Sequence, residues 1–508
     1  MGEYSLLGFQ REIRLKTNAV IIIFAVSALF AEVRFENKTS QLGLKLRRGQ
    51  TACADYNRDG WTDICSSGEL WRNNEGRNFE KVFQSRGRAV FADFNNDSFP
   101  DMFVYNKHKL LINQSGEGFE EAEFPDLEID SSLAACCADF NSDGFTDVYV
   151  AGYENWKKGI TYPDALVVNQ KGKGWKKLWT EKKYRARGAS ACDFDRDSDA
   201  DIYVSNYRLQ PNLLLINKGS GKFENKAKFY KAEAGSRKIS GGHSIGAVWA
   251  DFDNDGLFDI FAGNFAHKDS RGRQPESVFL RNNGLQNDFR FENMGQCGLH
   301  YQESYASPAA GDYDNDGDLD LFFTTVYKNA SFGRQDHPVL YKNEGSWQFT
   351  NVTKQAGLSG LGPTYQAAWA DFNNDGFLDL VTNRKVFINQ GNKNSWLKVG
   401  LAGDGEQIPR DAAGTQVLIE TGDKTLVRQV EIGTGQGNQN EKTLHFGLGK
   451  RQKAVDLKVR WFNGAEQNST DTALNSLVKI AFSPSSQKGI PDLNPRYKVR
   501  SDSPLLGK

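Results

Sequence analysis

The chain has 508 residues, with 63 Lys and Arg against 64 Asp and Glu and a formal net charge of −1. A hydrophobic fraction of 39% with 12% aromatics excludes both a disordered chain and a polytopic membrane protein, and the balanced charge excludes a strongly basic nucleic-acid binder. Fifty glycines against 13 prolines, with 34 phenylalanines, suit strands joined by many turns.

The first element is an apolar run over residues 19–31 (AVIIIFAVSALFA), preceded by Arg11, Arg14 and Lys16. It is too short to span a bilayer. It predicts a secretory signal peptide over residues 1–31, cleaved between Ser27 and Ala31, and hence a secreted protein with no membrane span after cleavage. Two other readings fit the same run: an uncleaved anchor, which would place the protein at the cell surface, and a buried strand. Sequons for N-glycosylation begin at Asn37, Asn113, Asn329, Asn351 and Asn468; a sixth, Asn96, falls inside one of the acidic loops described next, where a glycan would clash.

A nine-residue pattern then recurs seven times: DYNRDGWTD from Asp55, DFNNDSFPD from Asp93, DFNSDGFTD from Asp139, DFDRDSDAD from Asp193, DFDNDGLFD from Asp251, DYDNDGDLD from Asp312 and DFNNDGFLD from Asp371. A small residue precedes each copy and an apolar run follows it, so each loop is the tip of a β-hairpin. Oxygens at positions 1, 3, 5, 7 and 9 converge on one centre, with a glycine or serine at position 6. This matches the opening of an EF-hand loop and departs from it by ending in Asp at position 9. The candidate ligands are therefore Asp55, Asn57, Asp59, Trp61 and Asp63; Asp93, Asn95, Asp97, Phe99 and Asp101; Asp139, Asn141, Asp143, Phe145 and Asp147; Asp193, Asp195, Asp197, Asp199 and Asp201; Asp251, Asp253, Asp255, Leu257 and Asp259; Asp312, Asp314, Asp316, Asp318 and Asp320; and Asp371, Asn373, Asp375, Phe377 and Asp379. Position 7 contributes its backbone carbonyl.

An all-oxygen shell excludes zinc and copper, and its size and flexibility favour Ca²⁺ over Mg²⁺. Up to seven structural Ca²⁺ are expected. The clustered carboxylates repel one another without them, and seven ions would move the formal charge to about +13. A third carboxylate at Asp253 and Asp314 and a glycine at position 6 predict the loops at Asp251 and Asp312 to bind best. Ser98 predicts the loop at Asp93 to bind worst.

Each repeat is long enough for four short strands, and seven such units predict an all-β fold, a seven-bladed β-propeller over residues 32–392. FENKTSQLGL from Phe35 repeats FTNVTKQAGL from Phe349 but precedes the first loop, so the N-terminal strand is expected to complete the last blade. Cys53 and Cys65 lie two residues outside positions 1 and 9 of the first loop; a disulfide and two buried thiols fit equally. The alternation in KTLVRQVEI and AVDLKVRW predicts a small antiparallel β domain over residues 394–483, and residues 484–508 read as a flexible tail.

The seven loops and their flanks resemble the FG-GAP/VCBS repeat family, related to the heads of integrin α subunits. NSWLKVGL from Asn394, DAAGTQVLI from Asp411, EIGTGQGNQNEKTLHFGLGK from Glu431 and VDLKVRWFNG from Val455 resemble the ASPIC/UnbV domain. That pairing is similar to cartilage-acidic-protein-like and UnbV-like proteins. The stretch before HFGLG, here GTGQGNQN, departs from the family's usual Gly-x-Gly-Tyr…Ser-Gln, and Trp461-Phe462-Asn463-Gly464 replaces its Trp-Pro-x-Gly. The resemblance implies a calcium-stabilised module for adhesion, matrix contact or scaffolding, with an extracellular protein or glycan as partner.

No catalytic residue is expected. Gly242-His243-Ser244-Ile245-Gly246 has the spacing of a nucleophile elbow but runs into a strand rather than a helix. GTGQG from Gly433 lacks the βαβ setting of a dinucleotide loop. The basic stretch over residues 171–188 (KGKGWKKLWTEKKYRARG) fits either a polyanion contact or a solvated hairpin with inward aromatics. A lectin-like binder of glycans or polyanions is the alternative function.

Overall fold

The computed structural model describes residues 33–181, 184–236, 238–267, 273–422 and 424–484. The expected signal peptide and, Pro484 apart, the expected tail lie outside the described residues. Among the described residues no helix is long and apolar enough to cross a membrane.

Residues 33–389 form seven four-stranded antiparallel sheets, numbered I–VII here by their first strands: Thr51–Ala54, Ala89–Ala92, Ser132–Ala138, Ala186–Cys192, Ser244–Ala250, Tyr305–Gly311 and Ala367–Ala370. The second strands are Asp63–Ser66, Asp101–Val104, Asp147–Gly152, Asp201–Asn206, Asp259–Asn264, Asp320–Thr325 and Asp379–Thr382. An acidic loop joins first to second strand in every sheet. Its register never varies: the small residue before the loop faces position 9, as in Ala54↔Asp63, Cys192↔Asp201 and Ala370↔Asp379.

The first strands of neighbouring sheets touch in the order I to VII, and that of VII touches that of I. The apolar core lies between neighbouring sheets. Phe252, Phe279, Phe323 and Phe349 fill the space between V and VI, and Phe35, Tyr313, Phe322 and Trp369 that between VI and VII. Strand alternation supplies both faces of each sheet. Cys53 accordingly faces the cluster shared by VII and I, and Cys65 that shared by I and II. Cys53 is opposite Ile64, not Cys65. The two thiols are on opposite faces, and all six cysteines are free, which corrects the disulfide alternative.

Sheet VII takes its outer strand from the start of the array. Phe35–Asn37 pairs antiparallel with Lys385–Asn389, placing Phe35 opposite Asn389. The N-terminal segment thus binds the last repeat, as its echo of FTNVTKQAGL predicts.

The C-terminal domain has two sheets. One joins Thr425–Gln429, Gln416–Glu420, Val455–Arg460 and Glu466–Thr472; the other joins Leu444–Gly447, Trp396–Ala402 and Ser476–Ala481. The expectation of a wholly antiparallel domain is corrected in one place, since Trp396–Ala402 and Ser476–Ala481 run parallel. The 73 residues between Ala402 and Ser476 carry the rest of the domain and make that long crossover possible.

Residues 429–441 leave this domain to touch the first strands of all seven sheets. Gln439 exchanges backbone bonds with Thr51 and Cys53 and bonds the Phe91 amide and carbonyl with its side chain. Cys137 donates to the Ile432 carbonyl, Gly435 to the Ala247 carbonyl and Gln436 to Ser307 Oγ. Gln429 bonds the Ala191 carbonyl, and Trp369 the side chain of Asn440. The GTGQG stretch is therefore part of an interdomain plug. A Cβ on Gly433 would come 2.2 Å from the Ala135 carbonyl, and one on Gly437 2.3 Å from the Tyr105 hydroxyl.

Candidate metal centres

Each acidic loop is folded by its own carboxylates. The two oxygens of position 1 accept the amides of positions 5 and 6; for Asp139 the distances are 3.0 Å to Asp143 and 2.7 Å to Gly144. The same pair forms at Asp55, Asp93, Asp193, Asp251, Asp312 and Asp371. Position 5 then accepts the amide of position 7, which fixes the turn at Trp61, Phe99, Phe145, Asp199, Leu257, Asp318 and Phe377. Two residues per loop are left-handed. Position 6 is one, at φ 79° for Ser98 and 71° for Ser198; position 4 is the other, at φ 58° for Arg58 and 64° for Arg196. The sequence reading identified only position 6.

Position 9 is tied down at both oxygens in every loop but that of Asp201, whose Oδ1 alone is bonded. Asp147 accepts the Phe140 amide at 2.9 Å and the Asn169 amide at 2.7 Å. An asparagine at the end of the third strand, or one residue before it in sheet I, repeats in every sheet: Asn73, Asn113, Asn169, Asn217, Asn282, Asn343 and Asn389, each donating its backbone amide to position 9. Its side-chain amide donates twice more, to the carbonyl of position 8 and to that of the position 2 aromatic in the preceding sheet. Asn73 completes the cycle by bonding Phe372 of sheet VII. This link between sheets is not apparent from the repeat pattern of the acidic loops; the recurring Asn two or three residues before a Gly was the available signal.

The residues fit a cation. Several oxygens that the pattern assigns to the metal are left over: Asn141 Oδ1, Asp195 Oδ1, Asp253 Oδ1 and Asp314 Oδ1 at position 3 and Asp201 Oδ2 at position 9 are buried without a hydrogen-bond partner, as are Asn254 Oδ1 and Asn315 Oδ1 at position 4, outside the pattern. In three loops the carboxylates of positions 1, 3 and 5 (Asp193, Asp195, Asp197; Asp251, Asp253, Asp255; Asp312, Asp314, Asp316) offer oxygens within 4.8 Å of one another. Unpaired buried acceptors crowded in this way are costly unless a hard cation occupies the centre. Their titration agrees. Burial raises Asp63 and Asp101 to about 8 and Asp93, Asp139 and Asp193 to about 7. Burial, with neighbouring loop carboxylates next, raises Asp201, Asp259 and Asp320 well above the usual carboxylate range.

The loops differ in internal countercharge. Arg281 pairs with Asp253 at 2.6 Å and with Asp255 at 3.2 Å. Lys342 pairs with Asp314 and Asp316. Both cations stand on third strands, one residue before the linking asparagine. Asp195 has no Lys or Arg within 4.0 Å among the described residues.

The C-terminal domain covers this same loop surface. Lys398 Nζ lies 2.9 Å from Asp371 and 3.6 Å from Glu441, all three side chains nearly fully buried. The Asp93 amide donates to Asp411, Gln416 bonds the Asp193 carbonyl, Thr425 bonds the Asn254 carbonyl and Gly449 the Asn315 carbonyl. Thr62 bonds Glu441, and Thr146 bonds Asp411.

Other residues singled out by sequence have structural surroundings. Ser244 is fully buried and bonds Asn264 Oδ1 at 2.6 Å, within a strand that continues to Ala250. Trp175 of the basic stretch packs on Phe94 and Phe124 with ring centroids 5.5 and 5.2 Å apart; Lys182 and Lys183 lie outside the described residues. One sequon is corrected, since Asn113 is 2% exposed with its amide in the sheet link; Asn96, where a glycan is expected to clash, bonds the Gly144 and Gly405 carbonyls.

Comparison with known proteins gives matches to two family models. The FG-GAP-like repeat matches residues 139–204, 193–262 and 329–382, and the ASPIC and UnbV model matches residues 405–487. Cartilage acidic protein 1 of Mus musculus is 28% identical over 318 residues, covering 59% of this chain and 46% of that protein. The Xenopus tropicalis protein of that name is 27% identical over 388 residues, covering 69% and 55%. The chain thus spans about half the length of the curated relatives it matches. Among solved structures, an Agrocybe aegerita lectin recognising non-reducing terminal N-acetylglucosamine aligns at TM-score 0.37 and 14% identity over 62% of this chain and 83% of its own. The Dos1 propeller aligns at TM-score 0.31 and 11% identity, over 82% and 97%.

Proposed function

We infer, for a chain that carries FG-GAP-like repeats followed by an ASPIC and UnbV domain, the role of an extracellular interaction module: a seven-bladed, closed β-propeller held by structural Ca²⁺ and serving adhesion, matrix contact or scaffolding. The four-stranded sheets with their cycle of contacts support the closed propeller, and the orphaned loop oxygens support the cation.

One observation carries the functional reading. The acidic loops lie beneath the C-terminal domain, and residues 429–441 occupy the place where the first strands meet. What stays open is the opposite rim, where the connection between second and third strands is long in sheets III to VI and short in I, II and VII. Variable loops on a rigid scaffold are where partners bind. The matched relatives are named as cartilage proteins, which accords with a matrix setting. The reading assigns no reaction to the chain.

The test is retention of the purified full chain on immobilised extracellular matrix, in calcium and in chelator, beside its thermal unfolding. Calcium-dependent retention together with a calcium-raised Tm is expected. An unchanged Tm on chelation, with no metal found in the untreated protein, would sink the calcium-held module.

A further inference from the structure

The open rim carries a group of aromatic and guanidinium side chains that the cation chemistry leaves unused. Arg187, on the first strand of sheet IV, has its guanidinium carbon 5.3, 5.1 and 5.7 Å from the ring centroids of Tyr153, Tyr207 and Tyr365. Its Nε and one Nη reach the side-chain oxygen of Gln436, in the orientation that lets this amide accept, at 3.1 and 2.9 Å. Among the described residues no carboxylate lies within 4.0 Å of it, and the neighbouring Arg185 and Arg208 share a single one, Glu154, at 2.8 Å each. Three guanidinium groups thus answer to one carboxylate. A half-buried cation without a counter-ion favours an incoming anion, and guanidinium binds carboxylate or sulfate edge-on through two parallel donors.

The second element is Trp156, 71% exposed, on the sheet III connection. Arg208 lies 3.9 Å from its ring centroid and covers one face. An indole with one face backed by a cation and the rest in solvent offers an apolar platform for a ring-shaped ligand.

From this juxtaposition the geometry points to a binding site for an anionic saccharide. A sugar carboxylate or sulfate meets the Nη edge of Arg187 among the tyrosine rings, and a pyranose ring lies on the open side of Trp156. A protein partner fits less well. Among the described residues the exposed large apolar side chains of this rim are Trp156 and Ile160 on one connection and Phe332 on another, too few for the packed anchor cluster of a protein interface. The proposal names a ligand class for the interaction module above and rests on that reading.

The experiment is calorimetric titration of the full chain in calcium with a heparin-derived tetrasaccharide, a neutral chitin tetrasaccharide, inorganic sulfate and hexaglutamate. The sulfated tetrasaccharide is expected to bind, and the neutral one not. Trp156→Ala, at an exposed position, is expected to weaken binding about tenfold, and Arg187→Gln more than that. Lys176→Ala with Lys177→Ala, on the basic outer strand of sheet III, is expected to leave it unchanged. Equal affinity for sulfate alone or for hexaglutamate, retained affinity in Trp156→Ala, or loss in the Lys176 and Lys177 variant would each overturn the site. No saccharide binding with calcium-dependent melting intact would also overturn it while leaving the module reading standing.

Discussion

The side-chain amide of Asn73 donates to the backbone carbonyl of Phe372 across 299 residues of sequence, at 2.9 Å. It is the same bond that Asn113 makes to Tyr56 and Asn217 to Phe140, but this copy joins the first repeat to the last. Asn73→Ala removes it together with the bonds to the Thr62 carbonyl and the Gly76 amide, taking a partner from two buried carbonyls and one half-buried amide. A loss of about 2–4 kcal/mol is expected, read as a lower urea midpoint. A midpoint within experimental error of the parent would show that the link is dispensable.

Countercharge reorders the loops relative to the sequence expectation. Arg281 and Lys342 already neutralise the third carboxylate in the loops at Asp251 and Asp312. The loop at Asp193 has the same three carboxylates without such a partner at Asp195. Asp195→Asn is therefore expected to reduce total calcium affinity more than Asp253→Asn or Asp314→Asn does. Arg281→Ala is expected to tighten the loop at Asp251 by about three- to tenfold. Calcium titration with a competing chelator measures both; a weaker site in Arg281→Ala would contradict the assignment.

Without cation the stability should fall as pH rises. Asp63 and Asp101 titrate near about 8 in the fold, and Asp93, Asp139 and Asp193 near about 7, all above the unfolded value of about 3.9. A raised folded value contributes stability that is complete below about pH 4 and is lost as pH climbs through 7 to 8. Bound Ca²⁺ depresses the same values and reverses the sign, so that stability is lost as pH falls. Tm measured from pH 5 to 8 should therefore decline in chelator and hold or rise in calcium. Parallel curves would refute the linkage.

Lys398 joins the C-terminal domain to the seventh loop. Lys398→Met leaves Asp371 and Glu441 buried with one cation fewer, at a cost of about 3–5 kcal/mol. The domain is expected to release first, seen as early proteolysis within residues 393–430 while the repeats stay resistant. Simultaneous loss of both parts would show that they unfold as one unit.

Ser198 is held at φ 71°. Ser198→Gly should stabilise the cation-loaded protein by about 0.5–1 kcal/mol, measured as a rise in Tm. A fall would mean that the serine makes a contact worth more than the strain.

The repeats were legible because their chemistry is local. Asp at positions 1, 5 and 9 forms contacts within one hairpin, and the apolar run after each loop has a strand's length. The outer strand of sheet VII was legible because its sequence copies that of its counterpart. The asparagine link was not, since Asn169 and Asn217 look like hairpin residues and their partners Phe94 and Phe140 are 75 and 77 residues away. Arg281 and Lys342 escaped notice for the same reason: a third strand reaches back to a loop more than 20 residues earlier. Cys53 and Cys65 misled by one residue of register, which in a strand exchanges the two faces.

Residues 429–441 touch every first strand, yet both ends of this stretch belong to the C-terminal domain, on the acidic-loop side. Such a hairpin of chain cannot be threaded; it enters and leaves by one mouth. The order of synthesis sets a constraint on assembly, because Phe35 and Lys385–Asn389 emerge before the hairpin exists. If the repeats fold as they emerge, their first strands wait for residues 429–441 to be made before these contacts can form. A chain cut short before Gly433 would lack the partner that Gln439 gives to Thr51 and Phe91.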